Sequence, residues 1–223
     1  MVLVLAAVNV ASNELVPRWG YVPFAVGSTV VLLALARGVG QLSWESLGFG
    51  RRHLASGLRW GGLVAGVVSL VLVAGVALPA TRDLFRDGRV EELSAWGALH
   101  AAFVRVPFGT VLLEEVAFRG VLPAMLARRL PRWRAIGVAA VLFGFWHVLP
   151  SLDLGTVNPV AADTIGGLPR LVVVAGSVLS TAAIGVWFSF LRERTGSLVA
   201  PMLAHWSSNA LGYLFAWAVI NWL

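Results

Sequence analysis

The chain has 223 residues, enough for one domain or one helical bundle. Apolar residues make up 58% and charged residues 13%, against roughly 25% charge in a soluble domain. Together with a mean hydropathy of +0.83, this excludes a disordered chain, a basic nucleic-acid-binding protein and a soluble globule. The net charge of +6 comes from 17 arginines without a lysine, and cysteine is absent, so there is no disulfide and no thiolate nucleophile or ligand.

A membrane span needs about 20 mostly apolar residues. Seven segments qualify in chain order: 1–16, 20–36, 57–79, 94–113, 134–150, 168–191 and 197–221. The expected fold is all-α, a polytopic transmembrane bundle of about seven spans within a range of six to eight. It forms one membrane-embedded domain over 1–223, with a polar-motif core over about 94–221. The first segment is short and has a signal peptide as its alternative, although no basic residue precedes its apolar run. The loop 38–56 is expected to hold a short interfacial helix around Trp44–Gly48. Gly57/Gly61 and the offset pair Gly62/Gly66 give small-xxx-small spacing in the third segment, a pattern of close helix packing.

Charge sets the orientation. Arg37, Arg51, Arg52 and Arg59 lie in one connection, Arg128, Arg129, Arg132 and Arg134 in another, and Arg192 and Arg194 in a third. The 80–93 connection mixes three arginines with four acids, and the 150–168 connection carries Asp153 and Asp163 without arginine. Seven spans put all the arginine-rich connections on one side. The positive-inside rule makes that side cytoplasmic, so a multi-pass cell-membrane protein results with its N-terminus inside and its C-terminus outside. Trp19, Trp60, Trp96, Trp133 and Trp222 fit interfacial belts.

An ionisable residue inside an apolar span is costly and is a functional candidate by default. The fourth span ends in Glu114-Glu115-Val116-Ala117-Phe118-Arg119, the fifth holds Phe143 to His147, and the last holds His205 to Asn209. Glu115 and Arg119 are i,i+4 and can pair, which leaves Glu114, rotated by about 100°, to face elsewhere. His205 and Asn209 share a face by the same spacing. Measured from the cytoplasmic arginines at about 1.5 Å per residue, Glu114, His147 and His205 lie about 21, 20 and 16 Å deep. Pro107 and Pro123 flank the acidic pair and are expected to kink that helix.

A carboxylate and a neutral imidazole can activate water, and a second imidazole with an amide can stabilise an oxyanion. That is a set for hydrolysing an amide. Glu114, His147 and His205 can alternatively ligate a divalent metal such as zinc. With no contiguous H-E-x-x-H motif, three helices would have to grip the ion. His100 and His53 are expected at the interface or in solvent, and Arg105 to snorkel or to pair with Glu91 or Glu92. Trp146 and Trp206, each beside a motif histidine, are placed either along a substrate groove or in the core.

These residues resemble a known family. Glu114 to Arg119 matches E-E-x-x-x-R, Phe143 to His147 matches F-x-x-x-H, and His205 to Asn209 matches H-x-x-x-N. Arg194-Thr195-Gly196-Ser197-Leu198 followed by Ala200-Pro201 resembles the approach to the last motif. The pattern is that of the CPBP family, the CAAX prenyl protease type II and bacteriocin-processing or immunity ("Abi") intramembrane proteases. The resemblance covers about 114–209. It implies an intramembrane endopeptidase in which Glu114 and His147 activate water and His205 and Asn209 hold the oxyanion. Glu115 and Arg119 would support the site, Glu115 with the option of taking part, and Phe143 would pack or wall the cavity. Both a metal-free glutamate mechanism and a metalloprotease mechanism fit the set. The implied partners are the lipid bilayer and a peptide or membrane-anchored protein segment near the cytoplasmic leaflet. A short chain with arginine as its only strong base looks bacterial, which sets it apart from the prenylated eukaryotic substrates of true CAAX enzymes. The rival readings are a transporter or proton relay, which would show flux, and a non-catalytic scaffold or immunity protein.

Overall fold

The computed structural model describes residues 1–152 and 167–223; Asp153 and Asp163 lie outside them. The described residues are helical, with no strand among them. Helix α1 is Val2–Val10, continued by a π turn at Ala11–Leu15. Helix α2 is Tyr21–Gly38 and helix α3 is Leu54–Ala77. Short turns fill 79–91 before a continuous helix α4 over 95–126. Helix α5 is Arg132–Trp146, followed by the short turn Val148–Ser151. Helices α6, Arg170–Thr195, and α7, Val199–Trp222, complete the chain.

Each of the seven apolar segments thus falls on a helix. Three stretches are long and apolar enough to cross a membrane: Arg18–Gly38, Arg51–Ala77 and Arg170–Thr195. Val2–Leu15 is apolar but shorter. Among the motif-bearing helices, α5 has only 15 residues, and in α7 His205 to Asn209 interrupts the apolar run.

Helix α4 does not hold a single pitch. It is π-helical over Ala101–Val111 and Val116–Val121, with an α-helical segment, Leu112–Glu115, between them. Pro107 lies within the first π stretch, and Pro123 near the start of the last α-helical piece, Leu122–Leu126. Proline removes one backbone donor, and a widened hydrogen-bond register is a way for a helix to continue past it. The two prolines therefore sit in a continuous helix that changes pitch.

Close helix contacts rest on small residues. A Cβ on Gly57 would lie 2.6 Å from Ser197 Oγ, and one on Gly61 would lie 2.9 Å from Leu203, so α3 packs on the start of α7 there. A Cβ on Gly62 or Gly66 would meet nothing within 4 Å among the described residues, so of the two spaced pairs Gly57/Gly61 makes the interface seen there. A Cβ on Gly144 would lie 2.5 Å from the Val178 carbonyl, which seats α5 on α6. Gly196 ends α6 at φ 70°, with His53 packed where a side chain would stand.

The arginine-rich connections meet at one end of the bundle. Arg132 pairs with Glu193, Arg128 donates to the Gly40 carbonyl (2.8 Å), and Arg192 donates to the Ser46 carbonyl (3.1 Å). Around Trp44–Gly48 the chain forms turns, not the expected interfacial helix; Phe49 N donates to the Trp44 carbonyl, and Trp44 packs edge-on against Phe49. Positive φ at Gly48 and the Arg192 side chain laid against it explain why a helix does not propagate.

The core gathers on α4, whose residues 113–124 are buried without a break. Phe118 packs edge-on against both Phe143 and Trp146 of α5, with Leu32 of α2 and Leu5 of α1 in the same cluster. Glu114, Glu115 and Arg119 of α4 are thus sunk in the best-packed part of the molecule.

Candidate active site

Glu114 and Glu115 occupy the short α-helical segment between the two π stretches of α4. Adjacent positions on an α-helix point about 100° apart, and the two carboxylates do different things. Glu115 Oε1 accepts from Arg119 Nη1 at 3.1 Å and is hydrogen-bonded to His205 Nδ1 at 2.8 Å. Arg119 and Glu115 are fully enclosed, with side chains 1% and 0% exposed. The Arg119 guanidinium also lies 3.9 Å from the centre of the Phe143 ring and 5.1 Å from that of Phe188. An arginine sandwiched between aromatic faces keeps its charge compensated away from water.

Glu114 turns toward α5. Its Oε1 accepts from Trp146 Nε1 at 3.0 Å. Its Oε2 has no hydrogen-bond partner among the described residues and stands 3.8 Å from His205 Nε2. His205 therefore lies between both carboxylates, bonded to Glu115 through one ring nitrogen and facing Glu114 with the other.

His147 is not inside a continuous helix as its segment 134–150 suggested. Helix α5 stops at Trp146, and His147 adopts φ −91°, ψ 4°, a bridge conformation common among active-site residues. Its Nδ1 lies 2.8 Å from the Phe143 carbonyl. A carbonyl only accepts, so that nitrogen carries a proton, and in its neutral form the ring offers the Nε2 lone pair. Phe143 thus makes three contacts with two groups: its ring faces Arg119 and packs edge-on to His147 at 4.6 Å, and its carbonyl orients His147.

Glu114, His147 and Asn209 line one cavity of about 630 Å³. Asn209 lines that cavity, is exposed and makes no side-chain hydrogen bond among the described residues; His205, four residues earlier on α7, is buried. The cavity is bounded by residues from 12–21, 84–89, 147–150 and 208–216, the end of the bundle away from the arginine-rich connections. The sequence placed a substrate near the arginine-rich, cytoplasmic side. The cavity wall runs instead from Glu114, in the second half of α4, to the turns at 84–89 and 147–150.

Other expectations resolve as follows. His100 is exposed, and His53 lies 3.4 Å from Glu45. Arg105 pairs with neither Glu91 nor Glu92 and instead stacks over the Tyr21 ring at 5.3 Å. Trp206 donates to the Ala102 carbonyl (2.9 Å), which ties α7 to α4. Three residues were missed as contributors: Trp146 as the donor to Glu114, Phe188 as the second face over Arg119, and Asn9. Asn9, buried on α1, donates to the Trp146 carbonyl at 3.0 Å and so braces the end of α5 that carries both Trp146 and His147. Of the three only Trp146 carried a sequence signal, its place beside the motif residue His147.

Glu114, His147 and His205 were the expected metal ligands. Among the described residues no group of three or more histidine or acidic side chains is gathered to hold an ion. His205 Nδ1 is bonded to Glu115 and His147 Nδ1 to a carbonyl, which leaves Nε2 of each ring as the nitrogen not so bonded, an arrangement that a histidine ligating a metal also shows.

No curated protein and no solved structure matches the chain. The family described as type II CAAX prenyl endopeptidase, Rce1-like, matches residues 95–211, from the start of α4 to the middle of α7. That stretch is just over half of the chain and contains every motif residue described above, so the protein belongs to the Rce1-like family of type II CAAX prenyl endopeptidases.

Proposed function

We propose that the protein is an intramembrane endopeptidase that hydrolyses a peptide bond by a metal-free route, with Glu114 as general base. The observation that carries this reading is that Glu114, His147 and Asn209 line one cavity while Glu115 holds His205 with its Nε2 3.8 Å from Glu114. Water is held by the His147 Nε2 lone pair and loses a proton to Glu114 as its oxygen attacks the carbonyl carbon. The carbonyl electrons move onto oxygen, which accepts from Asn209 Nδ2 and His205 Nε2. With Nδ1 bonded to Glu115, His205 donates through Nε2 only as the imidazolium. In that form Glu114, Glu115, Arg119 and His205 sum to zero charge. Collapse of the tetrahedral intermediate breaks the C–N bond, and Glu114 returns the proton to the leaving nitrogen.

The substrate is a peptide or membrane-anchored protein segment, and the site residues are Glu114, His147, His205 and Asn209, with Glu115, Arg119 and Phe143 as supports. The arginine distribution supports a cytoplasmic N-terminus and a C-terminus outside. The test is cleavage of a membrane-tethered peptide library by the purified full chain, compared with Glu114→Gln and His147→Ala, with and without a chelator. The expected result is cleavage by the wild type, its loss in both variants and no effect of the chelator. Persistent cleavage in both variants would overturn the assignment, and loss of wild-type cleavage on chelation would overturn the metal-free route.

A further inference from the structure

The arginine-rich end of the bundle carries a recess of its own, built from residues that the proposed hydrolysis does not use. The connections there hold ten arginines, over 37–59, 128–134 and 192–194, against two acids, Glu45 and Glu193. Both acids are taken, Glu45 by Arg52 and Glu193 by Arg132. An open pocket of about 610 Å³ lies at this end, lined by Trp44, Glu45, Phe49, Gly50, Arg51 and Arg52. Arg52 is fixed by Glu45 and by a 3.1 Å hydrogen bond from its Nε to His53 Nε2. Arg51 is exposed, and its side chain has no carboxylate or hydrogen-bond partner among the described residues. The lining side chains therefore leave one positive charge uncompensated. Behind them Arg37 stands over the Trp44 ring at 5.1 Å and donates to the Leu42 carbonyl.

The rest of the lining is aromatic. Trp44 and Phe49 meet edge-on at 5.8 Å, and they are 49% and 38% exposed. Arg51 opens a stretch, Arg51–Ala77, that is long and apolar enough to cross a membrane. The pocket thus lies where a span enters the headgroup layer, the depth at which tryptophan and arginine anchor. Its wall is held from behind. Leu47, 0% exposed, shares a buried cluster with Val116 and Val121 of α4. Leu198 N donates to the Gly48 carbonyl at 3.1 Å, and Arg192 donates to the Ser46 carbonyl. A held aromatic wall beside one free guanidinium is complementary to an anionic phosphate on an apolar body.

We propose that this pocket binds the headgroup of an anionic phospholipid, with Arg51 on the phosphate and Trp44 and Phe49 against the glycerol and the first methylenes of its chains. A headgroup with one net negative charge balances the uncompensated arginine, which a zwitterionic headgroup does not. A free phosphate offers the same oxyanion, but it would leave the aromatic wall in water. The Leu47 carbonyl stands 3.1 Å from where a Cβ on Gly120 would lie, so an occupied pocket steadies the loop that backs the Glu115–Arg119 segment of α4. The assignment does not depend on the endopeptidase reading.

The test uses the full chain in neutral detergent micelles, titrated with phosphatidylglycerol, phosphatidylcholine or chain-free glycerol 3-phosphate. Bound lipid is counted by native mass spectrometry, and thermal unfolding is followed in parallel. Phosphatidylglycerol is expected to bind about three- to tenfold more tightly than phosphatidylcholine and to raise Tm. Arg51→Gln is expected to remove that preference, and Arg51→Lys to keep most of it. Arg129→Gln takes an exposed charge from another connection and is expected to leave the preference in place. Trp44→Ala is expected to weaken both lipids together, because it removes the wall and not the charge. Equal affinity for the two lipids would overturn the site. So would equal losses in Arg51→Gln and Arg129→Gln, which would mark a diffuse field, or unchanged lipid binding in Trp44→Ala. Binding of glycerol 3-phosphate as tight as that of phosphatidylglycerol would make a soluble phosphate the ligand and overturn the lipid.

Discussion

Helices α3 and α4 invert each other. On α3, Leu63, Leu70 and Val71 are 59%, 71% and 64% exposed, and few residues of its apolar stretch are buried. On α4, Glu115 and Arg119 are enclosed and the helix is buried continuously over 113–124. In water this arrangement would be unstable twice over, with leucines facing solvent and charges sunk in the core. In a bilayer both halves make sense. Apolar side chains on α3 meet lipid, and the charges on α4 are hidden from lipid by the other helices. The lesson is that polarity, more than hydropathy, distinguishes the working helix from the supporting one.

The strongest way to break this comparison is to leave one α4 charge alone. Arg119→Leu removes the partner of Glu115 and leaves a buried carboxylate with only His205 beside it. The expected loss is about 3–5 kcal/mol of stability together with all cleavage. Thermal unfolding of the purified protein in detergent checks it. The double variant Arg119→Leu with Glu115→Leu is expected to recover much of the stability and none of the activity. A single variant as stable as wild type would mean that the pair is not compensating a buried charge.

The converse experiment adds a charge to α3. Leu70→Arg is expected to cost about 2.5–3.5 kcal/mol of membrane insertion, read as a drop in the membrane-integrated fraction of the expressed chain. Leu70→Ala tests the same position with a smaller effect expected. Were α3 facing water, the arginine would be harmless, so unchanged integration of Leu70→Arg would remove lipid from that face.

Trp146→Phe sharpens the comparison within the site. It keeps the ring that packs on Phe118 and removes only the indole donor to Glu114. A hydrogen bond to a charged group is worth about 1.5–3 kcal/mol. The expected result is a fall of about tenfold or more in kcat with KM within about twofold, since a positioning donor acts on the base and not on substrate binding. A change in KM alone would make Trp146 a wall of the cavity.

Much of this organisation was legible before the structure, and for a physical reason. Ionisable residues in apolar segments stand out, so Glu114, Glu115, Arg119, His147 and His205 were conspicuous, and i,i+4 spacing sufficed to pair Glu115 with Arg119. The share of His205 in that pair was not legible, because it joins helices 90 residues apart. Aromatic residues in an apolar stretch carry no such contrast: Phe188 and Trp146 look like any core or belt residue until their neighbours are known. Gly57/Gly61 and Gly62/Gly66 have the same spacing, and only packing on α7 tells them apart. The pitch of α4 was invisible because proline marks a disturbance and not its form. The cavity wall is a product of three separate connections, and a linear reading assigns Arg105 to a partner on its own side of the chain.

The smallest expected effect concerns Asn9, which lies outside the stretch shared with the family. The last carbonyls of a helix lack partners within it, and Trp146 supplies such a carbonyl at the end of α5. Asn9 Nδ2 satisfies it from α1. Asn9→Ala removes the donor and leaves the carbonyl buried beside an apolar helix, at a cost of about 1 kcal/mol. Because the braced residue carries the donor to Glu114 and precedes His147, the variant is expected to lower kcat by a few-fold and to leave KM unchanged. Asn9→Asp keeps the size and removes the donor, so it is expected to be no better than alanine, whereas Asn9→Gln keeps the donor on a longer arm and is expected to recover part of the rate. If alanine and glutamine behave alike while stability falls equally in both, α1 only fills space against Phe118 and Trp146. If glutamine recovers kcat, the first helix is part of the machinery that holds the site, although it contributes no motif residue.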